Sequence, residues 1–240
     1  MNPYDNVTFL VGDRNVEILP FPPYDDLLCD FINDLSRELR SFKEISDYPD
    51  VMAFAFWCRK SNISKLKKEF NDGTSRLGLG VVFHVAPSNV PVNFAFSFVF
   101  GLLSGNANIV RVPTKIFPQI SIICSAIDRL FTADKYRKIK EMTAFVRYEQ
   151  KDEITGTFSA NCNARLIWGG DLTIRNIRKL PIQERCVDIA FADRYSICII
   201  DAPSVIKLDE IELVRLSENF YNDTYLMDQN ACSSPHLIIW

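Results

Sequence analysis

No G-x-G-x-x-G occurs anywhere in the 240 residues, so the ordinary fingerprint of a Rossmann dinucleotide site is absent. There is no C-x-x-C pair either. Only two histidines accompany seven cysteines, at positions 29, 58, 124, 162, 186, 198 and 232, and an odd set so spaced argues against a zinc site or a disulfide framework. The N-terminal stretch "MNPYDNVTFLVGD" lacks a basic run followed by an apolar core, so nothing marks the chain for secretion and cytoplasmic thiols are expected. An excess of one charge is missing too: 27 basic residues nearly cancel 30 acidic ones without a long single-sign run. That balance argues against a nucleic-acid surface and leaves a small molecule as the expected partner. The longest nearly uncharged run, Gly78 to Val110, is interrupted by Pro87, Pro91 and several Asn and Ser, which makes it a buried core unit and not a membrane span.

What is present is a chain 48% hydrophobic, long enough for one large domain or two small ones with filled cores. Two short strands, Val7 to Val11 and Val16 to Leu19, are expected around a turn at residues 12–15. Helical spacing follows from Asp25 to about Phe42, at Asp50 to Cys58 and at Ile63 to Phe70. After "NDGTSRLGLG" strands and helices alternate. The expected strands are Val81 to Ala86, Asn108 to Val112, Thr143 to Tyr148, Ala164 to Trp168, Val187 to Phe191 and Ser196 to Ile200. Helices are expected at Pro91 to Leu103, Ile116 to Phe131, near Ile154, at Leu172 to Lys179 and from Asp209 to about Phe220. Apolar strands in this alternation predict a doubly wound α/β fold, a parallel sheet covered on both faces.

Three stretches could carry chemistry. "PSNVP", residues 87 to 91, lies between a strand end and a helix start, where ligands of a doubly wound sheet bind. There Asn89 can project its amide from the sheet edge, or Ser88 or Asn89 can merely cap the helix, with Pro91 in its first turn. "LIWGGDLTIRNIRKL", residues 166 to 180, feeds a strand through a double-glycine turn into a helix; its N–H groups could receive a diphosphate, or the glycines could be a plain turn. In "MDQNACSSPHLIIW", Cys232 has polar and small neighbours that keep its thiol reachable and make it the strongest candidate nucleophile. The other six cysteines read as small buried hydrophobes. His236 could serve as a base, but on a strand that spacing puts it roughly 13 Å from the sulfur.

Together these stretches resemble the aldehyde dehydrogenase superfamily, and within it the LuxC-type acyl-CoA reductases, from about residue 76 onward. "PSNVP" is similar to the proline, variable residue, asparagine element; "GNANIVRVPTK" to the glycine-asparagine turn, strand and basic residue; "WGGD" to the cofactor turn; and "NACSSP" to the nucleophile loop. The resemblance implies a cofactor domain over residues 76–225, preceded by an N-terminal hairpin and helices over 1–75. Residues 226–240 would be the nucleophile loop and first strand of a catalytic domain that is cut short. It further implies that Cys232 attacks an acyl thioester such as acyl-CoA while the Asn89 amide and the Cys232 N–H hold the oxyanion. A nicotinamide cofactor would then lie against Pro87, Ser88, Arg111, Thr114, Lys115, Gly169, Gly170 and Thr173, with no metal.

Three departures from the family pattern refine this expectation. Ala190, in "DIAFADRYS", aligns where hydrolytic relatives keep a water-activating glutamate. Thr114 and Lys115, near Arg111, stand where an acidic ribose ligand is usual, which favours NADPH over NADH. Gly170 replaces a serine, leaving the diphosphate to backbone groups and Thr173. The implied protein is a cytoplasmic acyl-CoA reductase related to the fatty-acid reductase of bacterial luminescence. It would be homo-oligomeric at full length, able to work with an acyl-transferring or acyl-activating partner protein, and weak or inactive as 240 residues. The alternatives are a non-catalytic binding or assembly module with the same fold and a cysteine acyltransferase without redox chemistry.

Overall fold

The computed structural model describes residues 4, 6–149, 151–225 and 228–240. It divides into two compact units, one ending at Phe191 and one running from Ala192 to Trp240.

In the first unit the elements are β1 (Thr8–Val11), α1 (Asp26–Arg40), α2 (Pro49–Trp57), α3 (Lys60–Phe70), β2 (Val81–Val85), α4 (Asn93–Leu103) and β3 (Ala107–Arg111). They continue with α5 (Pro118–Leu130), α6 (Arg137–Glu141), β4 (Thr143–Arg147), α7 (Asp152–Ala160), β5 (Ala164–Gly169), α8 (Asp171–Arg178) and β6 (Val187–Ala192). The sheet order is β1-β4-β3-β2-β5-β6. β2 pairs in parallel with β3 and β5, and β3 with β4, while β1 runs antiparallel on β4. The expected parallel α/β sheet is thus the observed one.

Helix α4 is apolar nearly all round because neighbours cover most of it, Phe100 being its one exposed position. Phe94 and Phe98 meet Phe145 of β4 edge to face at 5.7 and 5.0 Å, while Phe96 packs against Phe54 and Trp57 of α2 at 4.9 and 5.3 Å. The N-terminal helices therefore close the far side of α4. Helix α1 starts on Asp25, whose carboxylate accepts the Leu27 N–H (2.9 Å), and buries Leu28, Phe31, Ile32, Leu35 and Leu39 at helical spacing.

Two expectations about strands fail. Val16 to Leu19 forms no strand, so there is no N-terminal hairpin. Instead β1 pairs with β4, Thr8 opposite Arg147, and the turn at Gly12 (φ +68°) presses on the start of β4, where a Cβ would fall 2.0 Å from the Thr143 carbonyl. Glu17 makes a single bond to the Glu141 carbonyl (2.8 Å). Full coverage of the sheet fails at β6, where Val187, Ile189 and Phe191 on one face are 39–42% exposed. Short helical turns at residues 45–47 and 134–136, together with α6, were not expected from the pattern.

On the other face of β5, Arg165 is fully buried. Its Nη1 donates to the carbonyls of Ile177 (3.1 Å) and Leu180 (3.3 Å), at and beyond the end of α8, and its Nη2 pairs with Asp188 of β6 at 2.8 Å. One guanidinium thereby satisfies carbonyls that the helix end leaves open and ties α8 to two strands.

The second unit has a two-stranded parallel sheet of β7 (Ser196–Ile199) and β8 (Pro235–Ile239), with α9 (Ala202–Val205) and α10 (Glu210–Tyr225) between them. Asp209 and Glu212 cap α10 reciprocally: Asp209 Oδ1 accepts the Glu212 N–H (2.8 Å) and Glu212 Oε2 accepts the Asp209 N–H (3.1 Å). Residues 226 and 227, where the expected third segment begins, lie outside the described residues.

Removing the Arg165 cation leaves two helix-end carbonyls without their donor and Asp188 with only the half-exposed Arg178, 3.5 Å away. Arg165→Met should lower the unfolding free energy by about 3 kcal/mol, read as a lower urea midpoint at unchanged slope.

Candidate active site

After β1, the parallel part of the sheet begins at β2, moves outward through β3 to β4, and returns to the opposite side of β2 as β5. The carboxyl ends of β2 and β5 therefore flank a topological switch point, the place where doubly wound sheets bind ligands. Register makes the edge explicit: Val85 pairs with both Arg111 and Ile167, and Arg111 with Val146, so four strand ends stand abreast.

Nine of the ten expected site residues project from this edge or the turn beyond it. Pro87, Ser88 and Asn89 follow β2, with Ser88 and Asn89 exposed. Neither occupies the N-cap position of α4. The N-cap of α4 is Val92, without a side-chain bond, and Pro91 sits in the preceding turn and not in the helix as expected. Thr114 and Lys115, both exposed, follow β3; Lys115 Nζ stands 4.8 Å from the Phe117 ring centroid.

Arg111 ends β3 with its guanidinium carbon 4.6 Å over the Tyr148 ring, and its Nε is buried with no partner among the described residues. Burial pushes the Tyr148 phenol up, against the pull of Arg111 and of the Thr155 hydroxyl 3.2 Å away. Gly169 and Gly170 join β5 to α8. Gly170 is the N-cap and makes no side-chain bond, and a Cβ there would meet nothing within 4 Å. Thr173 folds back so that a Cβ on Gly169 would stand 3.2 Å from its Cγ2. The first turn of α8 takes no side-chain bond from its N-cap, an arrangement suited to an anion, although Asp171 in the same turn already draws on the helix dipole.

Behind the edge lies a buried polar chain that the motifs do not reveal. Trp168 Nε1 donates to Ser97 Oγ (3.1 Å), and Ser97 Oγ lies 2.7 Å from His84 Nδ1. His84 Nε2 lies 3.0 Å from Asn108 Oδ1, and Asn108 Nδ2 donates to the Asn106 carbonyl (2.7 Å). Because Asn108 Oδ1 can only accept, His84 must carry its proton on Nε2, and Ser97 must donate to Nδ1. All directions are then determined. Burial pulls His84 down to about 4, with the Asn108 bond opposing. The chain links β2, α4, β3 and β5, and Trp168 also stacks on Phe191 at 3.9 Å and 10°. One signal was available in the sequence: a histidine inside the apolar strand VVFHV must find buried partners.

The tenth residue, Cys232, belongs to the second unit. It is exposed in the turn between α10 and β8, and its carbonyl accepts the Ser196 hydroxyl at 2.7 Å. Asp228 and Gln229 have positive φ (49° and 61°), and Ser234, buried, returns its N–H to the Ala231 carbonyl (2.9 Å). His236, on β8 as expected, stacks on Tyr195 at 5.3 Å. Ala190 is half-buried on β6. Among the described residues no cluster of three metal-ligating side chains occurs, and no helix is long and apolar enough to cross a membrane.

Comparison with known proteins agrees with this architecture. The family described as acyl-CoA reductase (LuxC) matches residues 59–240. Lactaldehyde dehydrogenase from Escherichia coli superposes with a TM-score of 0.64 at 13% identity, covering 88% of this chain and 47% of that one. NADP-dependent glyceraldehyde-3-phosphate dehydrogenase from Bacillus halodurans, solved with NADP, gives 0.57 at 16% identity, covering 89% and 47%. At these identities the likeness concerns the aldehyde dehydrogenase fold, and the chain spans about half the length of those structures. No curated protein matches.

The buried imidazole makes stability depend on pH. Folded His84 takes a proton only near pH 4, whereas an unfolded histidine does so near 6.5, so between these values the unfolded chain holds more protons. Its contribution is complete above pH 6.5 and is lost as the pH falls toward 4, by about 3 kcal/mol. Urea unfolding across this range should show that slope, and His84→Gln should lower stability at neutral pH while flattening it.

Proposed function

The chain belongs to the LuxC acyl-CoA reductase family, and from that premise we propose that it serves the NADPH-dependent reduction of an acyl thioester to an aldehyde through a cysteinyl acyl-enzyme. The observation that carries this reading is the gathering of the Pro87–Asn89 loop, the Thr114–Lys115 loop and the Gly169–Gly170 turn along one sheet edge at the switch point.

In the proposed reaction the Cys232 thiolate adds to the thioester carbonyl. The Asn89 amide and the Cys232 N–H hold the oxyanion, each worth on the order of 3 kcal/mol in the transition state. Collapse expels the coenzyme A thiolate and leaves the acyl group on sulfur. When bound, the nicotinamide supplies the hydride that reduces this thioester. The resulting thiohemiacetal oxyanion re-forms a carbonyl, releasing aldehyde and regenerating the Cys232 thiolate. Ala190, in place of a carboxylate, gives no base for water and so protects the acyl-enzyme from hydrolysis.

Support for the cofactor comes from the residues themselves. The N-terminus of α8 and the Thr173 hydroxyl would suit a diphosphate, and Thr114, Lys115 and Arg111 would offer hydroxyl and positive charge to a 2′-phosphate. A cytoplasmic homo-oligomer with an acyl-transferring or acyl-activating partner completes the proposal.

Incubation with an acyl-CoA should add one acyl group to Cys232, detected by mass spectrometry of the intact chain and its peptides. Cys232→Ala should abolish the adduct, and Asn89→Ala should slow its formation roughly 10²–10³-fold. Reduction predicts that NADPH discharges the adduct as aldehyde. Discharge to another acceptor without NADPH would favour the acyltransferase, and absence of any adduct the binding module. Lys115→Ala should weaken NADPH binding while leaving NADH binding nearly unchanged, measured by titration.

A further inference from the structure

Cys162 and Cys186 lie 24 positions apart in sequence, yet their sulfurs are 3.7 Å apart. Cys162 sits between α7 and β5, wholly buried, and Cys186 lies half-buried in the loop that leads into β6. The backbone already holds the two loops together. The Val187 N–H donates to the Asn163 carbonyl at 3.0 Å, and Gln183 Nε2 donates to the Ala160 carbonyl at 3.2 Å. A disulfide requires a sulfur separation of about 2.05 Å, so the pair must close by roughly 1.7 Å, within reach of χ1 rotation and a small loop shift.

The geometry points to a redox modification site: a low-molecular-weight disulfide such as oxidised glutathione converts Cys162 and Cys186 into an intramolecular disulfide. The order of events follows from exposure. Cys186 alone of the two meets solvent, so its thiolate attacks one glutathione sulfur, forming a mixed disulfide and releasing one glutathione thiolate. Cys162, held protonated by burial and by its neighbour, then gives up its proton and attacks the Cys186 sulfur. The bond to glutathione breaks and a second glutathione leaves. Two protein thiols lose two electrons in all, one oxidised glutathione gains them, and the two protons end on the released thiols. The ring so closed contains β5, the Gly169–Gly170 turn and α8, so the modification fixes both ends of that segment.

Treating the reduced full chain with oxidised glutathione, then digesting it without reductant, should yield a Cys162–Cys186 linked peptide pair whose mass is lower by two hydrogens. Exposed Cys232 instead gains a whole glutathione, which mass spectrometry separates from the internal link. Closing this ring should raise the melting temperature by roughly 5–10 °C, reversed by a dithiol reductant. Cys186→Ser, a change in an accessible loop, should fold and lose both the link and the shift; Cys162→Ala should stop at a glutathione adduct on Cys186. A stable glutathione adduct on Cys186 in the unsubstituted chain, or links joining other cysteines in its place, would overturn the assignment.

Discussion

At Gly101 the backbone of α4 comes so close to the sheet that a Cβ would stand 2.1 Å from Asn108 Oδ1 and 2.9 Å from the His84 ring. This contact has no slack, and much of the first unit depends on it. A helix interior normally disfavours glycine by about 1 kcal/mol relative to alanine. Here the missing side chain makes room for a histidine and an asparagine that the sheet would otherwise have to bury without partners. The same proximity brings Ser97, one helical turn earlier, between His84 and the Trp168 indole. A steric allowance on a helix thus becomes an orientation on the neighbouring strand.

β5 is held from both sides by this arrangement. Arg165 and Trp168 are three positions apart, so they point to opposite faces. Arg165 grips the end of α8 and Asp188, while Trp168 is bonded to α4 and stacked on Phe191. Between these anchors and the helix start lie Gly169 and Gly170. A turn made of the two most permissive residues is thus framed by some of the most constrained side chains in the unit, and its open N–H groups keep a defined direction.

Apart from α6 and the helical turn before it, the order of strands and helices from Val81 to Asp188 was legible because each strand is short, apolar and bounded by a turn, and most helices carry their own periodicity. So was the edge. "PSNVP", "RVPTK" and "WGGD" all follow strand ends, and in a parallel sheet strand ends share one side. What stayed hidden depended on partners remote in sequence. Val16 to Leu19 has the composition of a hairpin strand, but β1 satisfies its bonds on β4, more than a hundred residues away. The His84–Ser97–Trp168 chain joins three residues that read singly as one polar exception, one serine in a greasy helix and one aromatic at a strand end. No periodicity connects them. Cys162 and Cys186 were legible only as ordinary buried thiols, because loop proximity leaves no mark on local pattern.

The direction of every donor in the buried chain has a bearing on chemistry. An indole N–H can give a hydrogen bond but cannot take one, and a carboxamide does not pass protons on. Trp168 therefore closes one end of the series and Asn108 the other. The imidazole inside is a strut and not a wire: it carries no conductive path from solvent to the sheet edge. Any hydron consumed at that edge must come by a route other than this chain.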